Sequence, residues 1–477
     1  MATMTNLDVL SERYATPEMN KIFSREGKII LERDLWIAVM KAQRELGLDI
    51  ASEEIEKFER AKPQIDLARI DDIEARTKHD VKARIQSYVE TAGAGELIHL
   101  GMTSRDLTDN VEQMQNRQAA TLMLGRYVAL LSRFLEKADD YRDILLTGRT
   151  HNQPAQPTLL GRRFSMWAEE LGSHLGTFEH FIEHYPLRGM KGAVGTQFDM
   201  LTLLGSIEKV DILEAKVADL LGFKQVLHSP GQVYARSFDY DLLSNFVKVA
   251  SACANFGLNM RLMAGYELVT EGFREGQVGS SAMPHKMNTP LSERVRGFHV
   301  LLTGYASMAA DISGDQWFEG DVSESVVRRV ILSNGFYTFD GLSEATHAIV
   351  SNMGIYEVVI SAEVDRYLPF LATTEILMSA VQKGMGRERA HGLIKKYAVE
   401  EALKMRAGEK PQLAQRLAAD PAFVEYGIAQ SDLETTLQDR MHFVGTAQQQ
   451  IGKVRETLTP LLGRYQGQIG YVGQNTR

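Results

Sequence analysis

Proline is absent from residues 64–153, 231–283 and 291–368. Inside a helix, proline removes a backbone hydrogen bond and clashes with the preceding turn, at a cost of about 3 kcal/mol. Gaps of this length therefore leave room for very long helices. The apolar pattern agrees. Ala120, Leu124, Tyr127, Val128, Leu131, Phe134, Leu135 and Ala138 recur at helical spacing, as do Leu242, Leu243, Phe246, Val249, Ala250, Cys253, Ala254 and Leu258 within 239–272. A third run spans 291–308. Alternating strand patterns are scarce, and there is no internal repeat.

Helices this long cannot bury their apolar stripes alone and must pack along one another, within one chain or between chains. The expectation is an all-α protein in three parts: an N-terminal helical domain over 1–109, a central long-helix bundle over 110–365, and a C-terminal helical domain over 366–477. The last carries turn signals at Gly384, Gly386, Gly408, Pro411 and Pro421.

Composition narrows the function. A net charge of −9 argues against a nucleic-acid partner, and an anionic substrate would need a local cluster of Arg and Lys. The single cysteine, Cys253, lies in an apolar helical run and reads as a buried structural thiol. The first residues lack the basic-then-apolar order of a signal peptide, and no apolar run reaches the ~20 residues of a membrane span. A reducing cytoplasm and no membrane partner are expected.

Five polar islands interrupt the helical pattern. "SERYATPEM" presents Arg13 and Tyr14; alone, it reads as an N-terminal surface segment. "TKHDVKARI" sets His79 beside Asp80, although adjacent helix residues do not face each other. "HLGMTSRDLTDN" places Thr103 and Ser104 after a glycine, where hydroxyls either cap a helix or bind an anion. "GRTHNQPAQPTLLGRRF" holds His151, either a proton donor poised near neutrality or a histidine bonded in a loop. The fifth, "GQVGSSAMPHKMN", combines Gly276 and Gly279 with Ser280, Ser281, His285, Lys286 and Asn288. Its glycine spacing fits no P-loop, and no Cys/His cluster has zinc spacing. A segment this long and this rich in donors reads as a functional lid.

The segment "GSSAMPHKMN" resembles the signature of the fumarase/aspartase superfamily. Together with "RYATPEM", "KHDVKA", "GMTSRDLTDN", "THNQPAQPT", "GQVYAR" and "SESVVRR", in that order over nearly the whole chain, it resembles the adenylosuccinate lyase family. That resemblance implies elimination of fumarate from adenylosuccinate, and also from SAICAR, in purine synthesis. It further implies no metal or organic cofactor, and a homotetramer whose sites each draw residues from three subunits.

The resemblance also assigns roles. Ser280 is implied to remove the Cβ proton and His151 to protonate the leaving nitrogen, with His79 and Asp80 in support; which histidine donates the proton stays open. Lys286 and Asn288 are implied to contact the substrate carboxylate and the intermediate, and Thr103 and Ser104 the succinyl group. Arg13, Tyr14, Ser325 and Arg329 are implied to hold the phosphate, with Gln232 and Arg294 as further contacts. Two departures stand out: Thr289 precedes Pro290 where the family has proline directly after "KMN", and Lys78 stands where some relatives carry arginine on the phosphate side.

The chemistry asks for such residues. Removing a proton next to a carboxylate builds up negative charge, which backbone N–H groups of a glycine-serine loop and a lysine can stabilise. A histidine, with an intrinsic pKa of ~6.5, can protonate the departing amine. Argininosuccinate lyase, aspartase, fumarase, a carboxymuconate cycloisomerase and a non-catalytic helical scaffold are the alternatives. Of these, the other lyases lack a reason for a phosphate clamp, and a scaffold lacks one for keeping Ser280, His151 and Lys286 together.

Overall fold

The computed structural model describes residues 8–272, Met283 and 285–473. The all-α expectation holds. Strands among the described residues amount to two small two-stranded sheets and one isolated bridge.

The elements that position the site are α1 (Arg25–Glu45), α2 (Asp80–Ala92), α3 (Ser104–Asp140), β1 (Leu145–Thr150), β2 (Gln153–Leu159), α4 (Leu160–His184), α5 (Ser237–Gly265), β3 (Val269–Thr270), α6 (Pro290–Ile312), α7 (Ser325–Asn352), β4 (Gly354–Ile355) and α8 (Glu357–Leu371). The three proline gaps contain α3, α5 and most of α6 with α7. Helices α3 to α7 pack side by side as an up-and-down bundle, α3, α5 and α7 running one way and α4 and α6 the other. At ~1.5 Å per residue, the 37 residues of α3 span about 55 Å.

Each long helix has a defined start. The Asp106 carboxylate accepts the Thr103 N–H at 2.7 Å, so Thr103 stands at the N-cap of α3. Proline opens α6 at a position where its missing N–H costs nothing, and the Glu271 carboxylate accepts from Leu291 N–H and Ser292 N–H at 3.1 and 2.6 Å.

Three large hydrophobic cores and one small cluster of Ile29, Ile70, Ile73 and Ala83 result. The bundle core centres on stacked aromatics, with Phe246 on Phe339 at 4.4 Å and Trp167 edge-on to Phe256 at 5.0 Å. Cys253 is buried in it, and burial pushes its thiol up to about 12. A second core joins residues 35–61 to 185–223, and a third lies within 376–433. The packing does not follow the chain in blocks: residues 10–22 and 447–461 join the bundle core.

The polar island around His151 is a β-hairpin. Leu146 pairs with Thr158 and Thr150 with Gln153, and the register shifts between Thr147 and Arg149. His151 and Asn152 form its two-residue tip, with φ of 52° and 60°. A two-residue hairpin turn with both φ positive matches the strand twist, and Asn tolerates that conformation. Pro154 and Pro157 fit because each strand of a two-stranded sheet has a free edge.

Candidate active site

The site residues suggested by the sequence fall into three places along the bundle. The first is a cleft of about 520 Å³ where α1, α2, α3 and α7 meet, and it brings together Asp80, Ser104, Ser325 and Arg329. Thr103 and Ser104 open α3, so the capping and anion-binding readings of that pair are compatible: Thr103 is the cap, and Ser104 lines the cleft.

A lattice of charges forms part of the cleft wall and continues into the buried interior behind it. Arg328 meets Asp239 at 2.7 Å and Glu112 at 2.9 Å. Arg236 meets Glu324 at 2.7 Å and Asp109 at 3.3 Å, and Arg105 meets Asp109 at 3.0 Å. Burial alone would raise the Glu112 carboxyl, but Arg328 and Lys28 outweigh it and hold it well below the usual range. This lattice fixes the starts of α5 and α7 against α3, and therefore fixes Ser325 and Arg329 relative to Ser104. Gln232 is half-buried at the same end, its N–H donating to the Glu319 carbonyl at 2.6 Å.

His79 is the N-cap of α2. Its Nδ1 accepts the Lys82 N–H at 3.2 Å, which puts the ring proton on Nε2. The Asp80 carboxylate lies 3.9 Å from that Nδ1, beyond hydrogen-bond reach, and instead takes Arg84 at 2.8 Å. Burial raises the Asp80 carboxyl, Arg84 and the Val81 N–H lower it, and the net shift is downward. Lys78 precedes the pair in the left-handed region, φ 56°, with its side chain exposed.

The second place lies part-way along the bundle. Tyr14 packs edge-on against Phe298 at 5.0 Å, and the exposed Arg13 guanidinium sits 5.9 Å from the Tyr14 ring. Thr16 anchors this segment by donating to Asp340 at 2.7 and 2.8 Å, while Arg126 donates to Thr16 Oγ1 at 2.9 Å. Tyr14 meets α7 at Gly341, about 18 Å along that helix from Arg329.

The third place is the opposite end of the bundle. His151 is exposed at the hairpin tip, and the neighbouring Arg149 stacks on Tyr266 at 4.1 Å and pairs with Glu363. The glycine-rich segment leaves and rejoins the fold here, between Glu271 and α6. Lys286 and Asn288 are exposed on its returning end, with Arg294 half-buried in the second turn of α6. Ser280 lies outside the described residues.

These places do not meet within one chain. Ser104 begins α3, and the hairpin follows its far end. The six residues of β1 reach at most about 20 Å. Even folded straight back, the hairpin would leave His151 more than about 30 Å from Ser104.

Sequence reasoning missed several groups at the cleft. Lys28 and Glu112 come from α1 and α3, and nothing local marks them. Arg328 is in plain view within "SESVVRR", but its burial beside the exposed Arg329 is a fact of packing. Glu271, which ties the ends of the glycine-rich segment, is legible only as an acid just before it. Among the described residues no group of three or more His, Cys, Asp or Glu is placed to hold a metal ion, and no helix is long and apolar enough to cross a membrane.

A family profile described as "Lyase" matches residues 12–302, and one described as "Adenylosuccinate lyase C-terminus" matches 369–454. Adenylosuccinate lyase of Saccharomyces cerevisiae is 35% identical over 451 residues, covering 93% of this chain and 92% of the relative. That of Methanothermobacter thermautotrophicus is 29% identical, covering 93% and 97%. Among solved structures, the 3-carboxy-cis,cis-muconate lactonizing enzyme of Pseudomonas putida superposes with a TM-score of 0.81 at 20% identity, covering 95% of this chain and 99% of that one. A fumarate lyase of Mesorhizobium sp. BNC1 superposes with a TM-score of 0.79 at 18% identity, covering 93% and 98%. At these identities the structural matches speak for the fold alone.

Proposed function

The chain belongs to the adenylosuccinate lyase family, and on that premise we propose that it splits adenylosuccinate into AMP and fumarate. The same elimination on SAICAR gives AICAR, so the enzyme serves two steps of purine nucleotide synthesis. The observation that carries this reading is the cleft in which Asp80, Ser104, Ser325 and Arg329 converge, two hydroxyls and a guanidinium facing a space large enough for a nucleotide. Arginine is suited to bidentate recognition of a phosphate.

In the proposed reaction the Ser280 oxygen takes the proton from Cβ of the succinyl group. The electron pair left behind forms the carbon–carbon double bond of fumarate as the C–N bond breaks. His151 gives its proton to the departing nitrogen. His79 and Asp80 orient substrate and acid, and Lys286 and Asn288 stabilise the charge that builds on the carboxylate. Thr103 and Ser104 hold the succinyl group, Arg13, Tyr14, Lys78, Ser325 and Arg329 the phosphate side, and Gln232 and Arg294 the remainder. No metal or organic cofactor has a role in this scheme.

The working form in this reading is a homotetramer with shared sites. Support comes from the separation of His151 from Ser104 along α3, which only a second copy can bridge. Exposed apolar residues on the bundle supply a surface for association: Leu258 and Leu262 on α5, Val300 and Leu301 on α6, and Val326 and Val330 on α7. The division of the chain near Asp109 and Asp365, a cytoplasmic location, and the absence of nucleic-acid or membrane partners belong to the same reading.

The test is ultraviolet absorbance of the purified protein with adenylosuccinate. Conversion to AMP and fumarate is expected. No spectral change with adenylosuccinate, but turnover of argininosuccinate or malate, would overturn it.

A further inference from the structure

The cleft contains a cation that neither the sequence motifs nor the assigned roles account for. Lys28, in the first turn of α1, is half-buried and lines the same space as Ser104, Ser325 and Arg329. Apart from Arg329, the other charged side chains lining that space are committed to partners: Asp80 to Arg84, Arg105 to Asp109, and Glu112 to Arg328. Lys28 and Arg329 alone have no ion pair within 4 Å among the described residues. Half-burying an ammonium without a close anion is costly, and a site that binds a dianion recovers that cost only when occupied. The two cations stand on different helices, α1 and α7, and line the same space, together with the Thr108 and Ser325 hydroxyls. Such a set suits a tetrahedral phosphate, with lysine as a point charge and arginine as a fork.

We propose that Lys28 is a further phosphate-binding cation, acting together with Arg329 on the 5′-phosphate of the nucleotide. The proposal rests on the reading of the substrate as a phosphate ester. Its rival is that Lys28 serves only as a countercharge to Glu32 and Glu112, both of whose carboxyls it influences from a distance. A countercharge would be indifferent to whether the substrate carries a phosphate.

The experiment compares kcat/KM for adenylosuccinate and for its dephosphorylated form, succinyladenosine, in wild type, Lys28→Met, Lys28→Arg and Arg329→Met, with the melting temperature of each variant recorded. Lys28→Met is expected to lower kcat/KM for adenylosuccinate by about 10–100-fold while changing that for succinyladenosine less than about 3-fold. Lys28→Arg should restore most of the difference. If Lys28→Met lowers both substrates equally, or neither, the proposal is wrong, and an equal loss with a lowered melting temperature identifies the countercharge role. If wild type itself shows no preference for the phosphorylated substrate, the proposal falls together with the phosphate reading. A preference that survives in Lys28→Met but is lost in Arg329→Met overturns the assignment of Lys28 alone.

Discussion

The Glu271 carboxylate holds the Ser292 N–H at 2.6 Å, so the residue just before the glycine-rich segment is tied to the first turn of the helix that follows it. One acid closes the base of the segment that carries Lys286, Asn288 and the proposed base Ser280. Glu271→Ala leaves two helix N–H groups unpaired. It should destabilise the fold by about 1–3 kcal/mol and lower kcat by about 10–100-fold through misplacement of the segment. AMP binding, which is proposed for the opposite end of the bundle, should change little. Denaturation, steady-state kinetics and AMP titration check the three parts, and an unchanged kcat would remove the positioning role of Glu271.

Ser280→Ala and His151→Ala should each reduce kcat by at least about 100-fold while substrate still binds. Single-turnover kinetics with bound substrate distinguishes loss of chemistry from loss of binding. Near-normal rates in either variant would reassign that role.

Arg329→Ala should act differently, raising KM more than it lowers kcat, because a phosphate contact distant from the breaking bond mainly serves binding. An unchanged KM would take the phosphate away from this cleft.

Two buried groups give stability opposing dependences on pH. Burial raises Glu32 to about 7 despite its ion pair with Arg84 at 2.9 Å. The folded chain therefore holds a proton that the unfolded chain releases between about pH 4.5 and 7, and stability from this group falls as pH rises through that window. Burial lowers His347, bonded to the Arg126 carbonyl at 3.0 Å, to about 4. Here the unfolded chain takes up a proton first, so stability from this group is present above pH 6.5 and is lost as pH falls toward 4. Each effect is on the order of 3 kcal/mol, and the two nearly cancel. Glu32→Gln should expose the rising limb and His347→Gln the falling one. Melting temperatures from pH 5 to 8 would show this, and parallel curves for both variants would contradict it.

The parts of the fold that depend on local rules are legible in the order of the residues. Long proline-free stretches with apolar residues at helical spacing become α3, α5 and α6 with α7, because burying a continuous stripe along a neighbour leaves few other solutions. The hairpin at His151 is not legible in this way. Two prolines and a run of Gln, Thr and Asn mask any alternation, and its tip places His151 and Asn152 at positive φ without glycine. The site is legible as a set of residues and not as a geometry. Thr103 and Ser104 carry one signal for two roles, a cap and a cleft wall, and only packing separates them. Lys28, Glu112 and Arg328 come together across some three hundred positions of the chain through helix contacts that no short motif records.

The central claim is that a working site takes His151 and Arg329 from different copies of the chain. The direct measurement mixes two weak variants, His151→Ala and Arg329→Ala, by co-expression or joint refolding, and assays them at substrate well below the wild-type KM. If the two residues act across copies, about a quarter of the sites in random mixed assemblies are intact, and activity should recover to about a quarter of wild type. Activity no greater than the average of the two separate variants would place both residues in one chain's site and contradict the account.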